Sequence, residues 1–292
     1  MTWRTVVINQ RAKLSFKMGH MLVRMQDNDI KRIYLKDISH VILNTTEVSI
    51  TAALMNEFQK NKIKFILCDE KRNPVSELVP YYNSYNTSEK IRSQIKWKDT
   101  VKAEVWKLII KEKISNQKEL LEKHNKENSG LLELYIKEVL DGDTTNREGH
   151  AAKVYFNSLF GMDFTRNDDT NTNKILNYGY SILLSAINRS VVAQGYITQL
   201  GIFHDNMFNQ FNLSSDLIEP WRVLVDTEAY DYADEVFNND VKIHLINIIN
   251  KTCIIDGKEQ TINNAIDIYT KSVFDALNQM DTSLIRFPRY EL

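Results

Sequence analysis

The sequence predicts an α+β protein in which a small N-terminal β-sandwich-like domain precedes a larger all-α domain. Two observations carry that prediction. Up to about residue 80, short apolar and β-branched runs are separated by polar turns, whereas from residue 90 onward apolar residues recur at three- and four-residue spacing. A third concerns size: 292 residues, 43% hydrophobic and 26% charged, suffice for one large or two unequal domains with a sizeable core. No apolar stretch reaches the ~18 residues of a spanning helix, and the opening lacks a signal peptide's apolar core. A cytoplasmic location with no membrane partner is therefore expected. Cys68 and Cys253 form no C-x-x-C pair, which disfavours a cysteine zinc site and fits a reducing compartment.

Taken in order, strands are expected at 5–8, 13–16, 21–24, 30–35 and 40–43, read as half-buried antiparallel strands. One amphipathic helix interrupts them, with Ile50, Ala53, Leu54 and Phe58 on one stripe and Ser49 or Thr51 as its cap. Runs at 63–67 and 75–79 complete a β-rich domain over residues 1–79. So small a domain buries little apolar surface, and packing against a second copy is expected. Pro74 and Pro80 bracket the exit, and residues 80–88, rich in Tyr, Asn and Ser, read as a linker to a domain over 89–292. That domain opens with a basic helix over 90–113 whose lysines are expected at the surface. Further helices are expected at 130–140, 147–160 (ended by Gly161), 173–195, 217–237, 240–251 and 261–279, with a small hairpin at Asp256-Gly257.

A net charge of −1, from 37 basic and 38 acidic residues, conceals a split. Residues 1–124 hold 23 basic and 14 acidic side chains, and the remainder hold 14 and 24. Such asymmetry suggests a polyanion surface on one side or, equally, a solvated basic helix. Lys90, Arg92, Lys96 and Lys98 are the candidate backbone contacts to DNA. Beside them, Tyr82 and Tyr85 would either stack on an unpaired base or pack the linker onto a domain surface.

Absences narrow the chemistry. There is no G-x-x-x-x-G-K-S/T loop, no G-x-G-x-x-G turn and no G-x-S-x-G elbow, which removes support for nucleotide-triphosphate hydrolysis, dinucleotide redox chemistry and serine esterases. Three segments concentrate metal-compatible groups: 147–156 with Glu148, 200–205 with His204, and 216–222 with Asp216, Glu219 and Arg222. Two carboxylates and one imidazole suit Mg²⁺ or, better, Mn²⁺. Each residue also has a plainer reading. Glu148 would place negative charge in the first turn of its helix, after a cap at Thr145 or Asn146. His204 would be a satisfied core histidine, and Asp216-x-x-Glu219 is nearly a capping box with Pro220 in the first turn.

The combined pattern of Glu148-Gly-x-Ala-Ala-x-x-Tyr-Phe, Asn177-Tyr178-Gly179-Tyr180, Gly201-x-x-His204 and Asp216-Leu-x-Glu219-Pro-x-Arg222 resembles the signature of the CRISPR-associated protein 1 family. The resemblance spans essentially the whole chain. Trp3-Arg4-Thr5-Val6-Val7-Ile8 and the length look most like the type II-A-like subtype that accompanies a single-protein RNA-guided effector. It implies a metal-dependent integrase and endonuclease of spacer acquisition. Glu148, His204 and Glu219 would bind Mn²⁺ or Mg²⁺ and carry catalysis, with Asp216, Arg222 and Tyr178 in support. His150 departs from the small or aliphatic residue expected after Glu148-Gly149 and is not assigned to the metal. Implied partners are double-stranded DNA with 3′ overhangs, CRISPR repeat DNA, a second copy of the chain, a small ferredoxin-like CRISPR-associated protein bridging two dimers, other type II-A adaptation proteins and the effector nuclease. A stand-alone nuclease acting on branched DNA and a non-catalytic DNA-binding scaffold are the rival readings.

Overall fold

The computed structural model describes residues 4–26, 29–70, 72, 74–81, 86–233 and 235–290. The chain divides into two compact units, Met1–Tyr81 and Tyr82–Leu292.

In the first unit, β1 (Arg4–Ile8), β2 (Ala12–Lys17), β3 (His20–Arg24), β4 (Ile30–Tyr34), β5 (Ile38–Leu43) and β6 (Val48–Ile50) precede a helix, α1 (Ala52–Lys60), and then β7 (Lys64–Cys68) and β8 (Pro74–Glu77). Two four-stranded sheets form, ordered β1-β5-β7-β8 and β4-β3-β2-β6. The expected antiparallel pairing holds for β2–β3, β3–β4 and β7–β8, but β1–β5, β5–β7 and β2–β6 are parallel. β5 explains the difference: all six of its residues are buried, and a strand covered on both faces suits a parallel sheet rather than a half-solvated one. Ile38, Val41 and Phe65 from the first sheet share one core with Leu14, Met21 and Val23 from the second. Thr51 caps α1 by accepting the Leu54 N–H, and Leu54 and Phe58, one turn apart, enter the same core.

The second unit contains α2 (Thr87–Ile95), α3 (Asp99–Lys123), α4 (Ser129–Glu138), α5 (Arg147–Phe160), α6 (Asn171–Ala193), α7 (Asn212–Leu217), α8 (Arg222–Asp231), α9 (Asn239–Ile246), β9 (Thr252–Ile255), β10 (Lys258–Thr261) and α10 (Ile262–Gln279). It is therefore helical with one antiparallel hairpin, turning at Asp256-Gly257, and not all-α. The single basic helix expected over 90–113 is two helices. Lys98 is extended (φ −69°, ψ 135°) at the break, and Trp97 turns inward there, donating its indole N–H to Asn278 at 2.9 Å. α3 is the long central helix, packing against α4, α5, α8 and α10. Its burial extends around the helix, through Val105, Trp106, Ile109, Ile110, Lys113, Asn116 and Leu120. The helix expected over 217–237 is also interrupted: a 3₁₀ turn, Glu219–Trp221, separates α7 from α8. Pro220 has no N–H to extend the α-helical ladder at that point.

Candidate active site

The N-terminus of α5 fixes Glu148. Asn146, in a left-handed conformation (φ 52°), caps the helix by accepting the Gly149 N–H, and Asp143 accepts the N–H groups of Arg147 (2.8 Å) and Glu148 (2.9 Å). The expected cap at Asn146 is present, with Asp143 as an added second acceptor. Glu148 points from this rigid first turn toward α3. There its Oε1 accepts a hydrogen bond of 2.6 Å from Lys113 Nζ.

Glu219 meets the same ammonium from the other side, with Oε2 2.5 Å from Lys113 Nζ. Its 3₁₀ turn is pinned at the Pro220 carbonyl, which accepts from Asn116 Nδ2 at 3.0 Å and from the Tyr290 hydroxyl at 3.1 Å. Arg222 closes the other flank, its Nε 3.0 Å from both Glu219 oxygens. Burial pushes the Glu219 carboxyl up, but Arg222 and Lys113 together pull harder and leave it at about 2. Burial likewise disfavours the Lys113 ammonium, and Glu219 and Glu148 outweigh that penalty, so its pKa rises above the ordinary lysine value.

Asp216 is not a helix cap. Fully buried on α7, it accepts the backbone N–H groups of Ile202 (2.6 Å), Phe203 (3.0 Å) and His204 (3.1 Å), and its Oδ1 lies 2.6 Å from His204 Nδ1. The residue thus organises the 202–204 loop and orients the imidazole. The hydrogen bond to Asp216 raises the His204 pKa against the opposing effect of burial, and the charges of Asp216, Glu219 and Glu148 add to the rise. His204 is partly exposed, with its ring edge-on to Trp106 and Phe203, so it is not a core histidine.

Two glycines of the motifs have steric reasons. A Cβ on Gly201 would lie 2.2 Å from the His204 carbonyl oxygen and 2.8 Å from Asp216 Oδ2. On Gly179 it would meet Val225 at 2.4 Å, where α6 and α8 touch. Gly179 thereby lets Tyr180 approach α8. The Tyr180 ring lies under the Arg222 guanidinium (4.6 Å to the centroid), and its hydroxyl, with that of Tyr155, donates to Asp226. Burial raises Asp226 to about 6 despite those hydrogen bonds. Tyr178 instead packs in the core, its ring 5.7 Å from that of Phe237 and 5.4 Å from Lys242 Nζ.

The structure therefore gathers Glu148, Glu219 and Arg222 around Lys113, with His204 and Asp216 alongside. Lys113, expected among surface lysines, is buried and central. Its position was legible: Val105, Ile109 and Lys113 follow four-residue steps, which puts the lysine on the helix's apolar stripe. Tyr180, rather than Tyr178, is the tyrosine of the Asn177–Tyr180 motif that meets Arg222. Of the candidate DNA contacts, Arg92, Lys96 and Lys98 are exposed. Lys90 donates to the Gln194 carbonyl at the end of α6 (2.6 Å), serving the helix terminus. Ile95, at the end of α2, is 66% exposed. His150 is exposed and faces Arg147. Tyr82 and Tyr85 lie outside the described residues.

Among the described residues, no three His, Cys, Asp or Glu side chains converge as they stand into a metal-holding group. The donor chemistry nonetheless fits a divalent ion. Two carboxylates from separate elements already share one small cation, and the imidazole is held at Nδ1 by a carboxylate, the outer support that metal-ligating histidines typically have.

No helix among the described residues is long and apolar enough to cross a membrane. A family profile described as "CRISPR associated protein Cas1" matches residues 5–235. A CRISPR-associated endonuclease Cas1 of Neisseria meningitidis serogroup C (strain 8013) is 30% identical over 294 residues, covering 99% of this chain and 96% of that one. Among solved structures, a casposase bound to integration product superimposes with a TM-score of 0.79 at 17% identity, covering 100% of this chain and 95% of its own. A chain of a Cas6-RT-Cas1–Cas2 complex gives a TM-score of 0.76 at 18% identity, covering 99% of this chain and 36% of that one. With the profile spanning most of both units and a relative aligned end to end, the chain belongs to the CRISPR-associated Cas1 family.

Proposed function

We propose that the protein is a divalent-metal-dependent DNA integrase of CRISPR spacer acquisition. The observation that carries this reading is the pairing of Glu148 and Glu219 on one buried cation beside an Asp216-oriented His204, in a Cas1-family chain. The 3′-hydroxyl of a captured DNA fragment attacks a phosphodiester at the leader and repeat boundary. One phosphodiester forms as another breaks, which is why the missing nucleotide-triphosphate motif is no obstacle. Glu148, His204 and Glu219 would hold Mn²⁺ or Mg²⁺, which when bound stabilises charge developing on the phosphoryl oxygens. Asp216 fixes the ring through Nδ1 and leaves Nε2 for ligation. Arg222 holds the Glu219 carboxylate ionised and in place, and Asn116 and Tyr290 anchor its turn. The elements carrying the two carboxylates are held in place by Asp143 and Asn146 on one side and by Asn116 and Arg222 on the other.

The partners follow from the same reading. The similar casposase is bound to integration product, and the similar Cas1-containing chain belongs to a complex with Cas2. Double-stranded DNA with 3′ overhangs, CRISPR repeat DNA and a small bridging partner are therefore proposed here. Self-association through the β unit, a type II-A-like context with its other adaptation proteins and effector nuclease, and a cytoplasmic location belong to the same proposal.

A strand-transfer gel with a labelled fragment bearing free 3′-hydroxyls and a plasmid carrying a CRISPR array tests it. Joined product is expected from the wild type and not from a Glu148→Ala variant that still folds and binds DNA. Normal joining by that variant overturns the ligand assignment. Cleavage without joining supports the endonuclease reading suggested by the relative's name, in which water is the nucleophile.

A further inference from the structure

The Lys113 ammonium lies between the two carboxylates proposed to share the ion. It reaches one oxygen of Glu148 and one of Glu219, carboxylates carried by α5 and by the 3₁₀ turn, while its own backbone belongs to α3. Three elements thus meet on a single buried cation, and the chain itself supplies it. A lysine at this depth is a costly arrangement unless its carboxylate partners are held in place, and both are held, by Asp143 and Asn146 on one side and by Arg222 and Asn116 on the other.

We infer that Lys113 is a built-in stand-in for the divalent ion. It keeps the two carboxylates assembled when metal is absent and is displaced when metal binds. This rests on the assignment of Glu148 and Glu219 as ligands. Charge favours exchange over coexistence: with His204 neutral, Glu148, Glu219 and Asp216 against Lys113 and Arg222 sum to −1, so a divalent ion added beside the ammonium would leave the largely buried site at +1, whereas replacing the ammonium leaves it neutral. Geometry agrees. Nζ stands between Glu148 Oε1 and Glu219 Oε2, at 2.6 and 2.5 Å, so an ion shared by these two oxygens would meet the ammonium in the space between them. The four-carbon stem lets the ammonium withdraw without moving α3.

Isothermal titration of Mn²⁺ into the full chain and into Lys113→Met, Lys113→Arg and Glu148→Gln variants tests the exchange. Lys113→Met is expected to bind Mn²⁺ about tenfold more tightly than the wild type, since a competing cation has been removed. Lys113→Arg keeps the charge and binds no more tightly than the wild type, whereas Glu148→Gln binds more weakly. Equal or weaker binding by folded Lys113→Met, with Glu148→Gln impaired, overturns the exchange and leaves the ligand assignment standing. Unchanged binding by Glu148→Gln overturns both. If Lys113→Met does not fold, the wild type decides. Acetic anhydride labelling of Lys113, read by mass spectrometry, is expected to rise when millimolar Mn²⁺ is added, and unchanged labelling overturns the proposal.

Discussion

His204 Nδ1 lies 2.6 Å from Asp216 Oδ1, and the same carboxylate accepts the backbone N–H of His204 itself at 3.1 Å. One buried side chain therefore fixes both the path of the loop and the face of the ring. Asp216→Asn would present an amide donor to N–H groups that need an acceptor. A loss of about 2–4 kcal/mol in unfolding free energy is expected by urea denaturation. The deficit has a pH dependence. His204 is raised above its unfolded value, so stabilisation from this pair is fully present below about pH 6.5 and is lost as pH rises through the folded value. The gap between wild type and variant should narrow accordingly. Strand transfer should fall 10–100-fold at a temperature where the variant remains folded.

Gly179→Ala should be among the most harmful of the alanine substitutions, because its Cβ would fall 2.4 Å from Val225 Cγ1 where α6 meets α8. Separating the helices or displacing Val225 is expected to cost about 1–3 kcal/mol. Thermal unfolding measures it, and wild-type stability would show that the contact yields freely.

Sequence reasoning singled out Glu148, His204 and Glu219 but not the arrangement that joins them. Glu148, His204 and Glu219 stand in motifs readable one after another. The ammonium that joins two of them comes from a helix whose lysines share one composition, and only the four-residue step from Ile109 sets Lys113 apart from its neighbours. The β unit shows the same limit. Short apolar runs revealed that strands exist, while the parallel partners of β5 depend on returns through β2, β3 and β4 on one side and β6 and α1 on the other. Pairing across such separations leaves no local periodicity.

Glu112, one residue before Lys113, is raised to about 7 by burial, with Arg289 opposing. Its folded state keeps a proton that the unfolded chain releases near pH 4.5. The folded form thus binds more protons in that window, and stability falls as pH rises from about 4.5 to 7. Glu112→Gln removes this dependence. It should gain on the wild type across the window, by at most about 3 kcal/mol, with a constant difference outside it. Urea midpoints at pH 4, 6 and 8 check the sign.

Salt dependence separates the lysines. Replacing Arg92, Lys96 and Lys98 together by Ala should reduce the slope of log affinity against log salt by up to about 3 if each meets a phosphate. Lys90→Ala should leave the slope unchanged and lower the melting temperature, because its ammonium serves the α6 carbonyl terminus. A lost slope in Lys90→Ala would reverse that division. Fluorescence anisotropy of a labelled duplex from 50 to about 300 mM salt provides the measurement.

Tyr290 reaches back 70 positions to the Pro220 carbonyl, while Arg289 pairs through both backbone hydrogen bonds with Ile254 and through its side chain with Glu112. During synthesis, the turn carrying Glu219 leaves the ribosome after Asn116, its first fastening, and before Tyr290, its second. Until Tyr290 is made, the Pro220 carbonyl has only its hydrogen bond from Asn116, so the turn is fastened in two stages, first from α3 and then from the strand-like segment after α10.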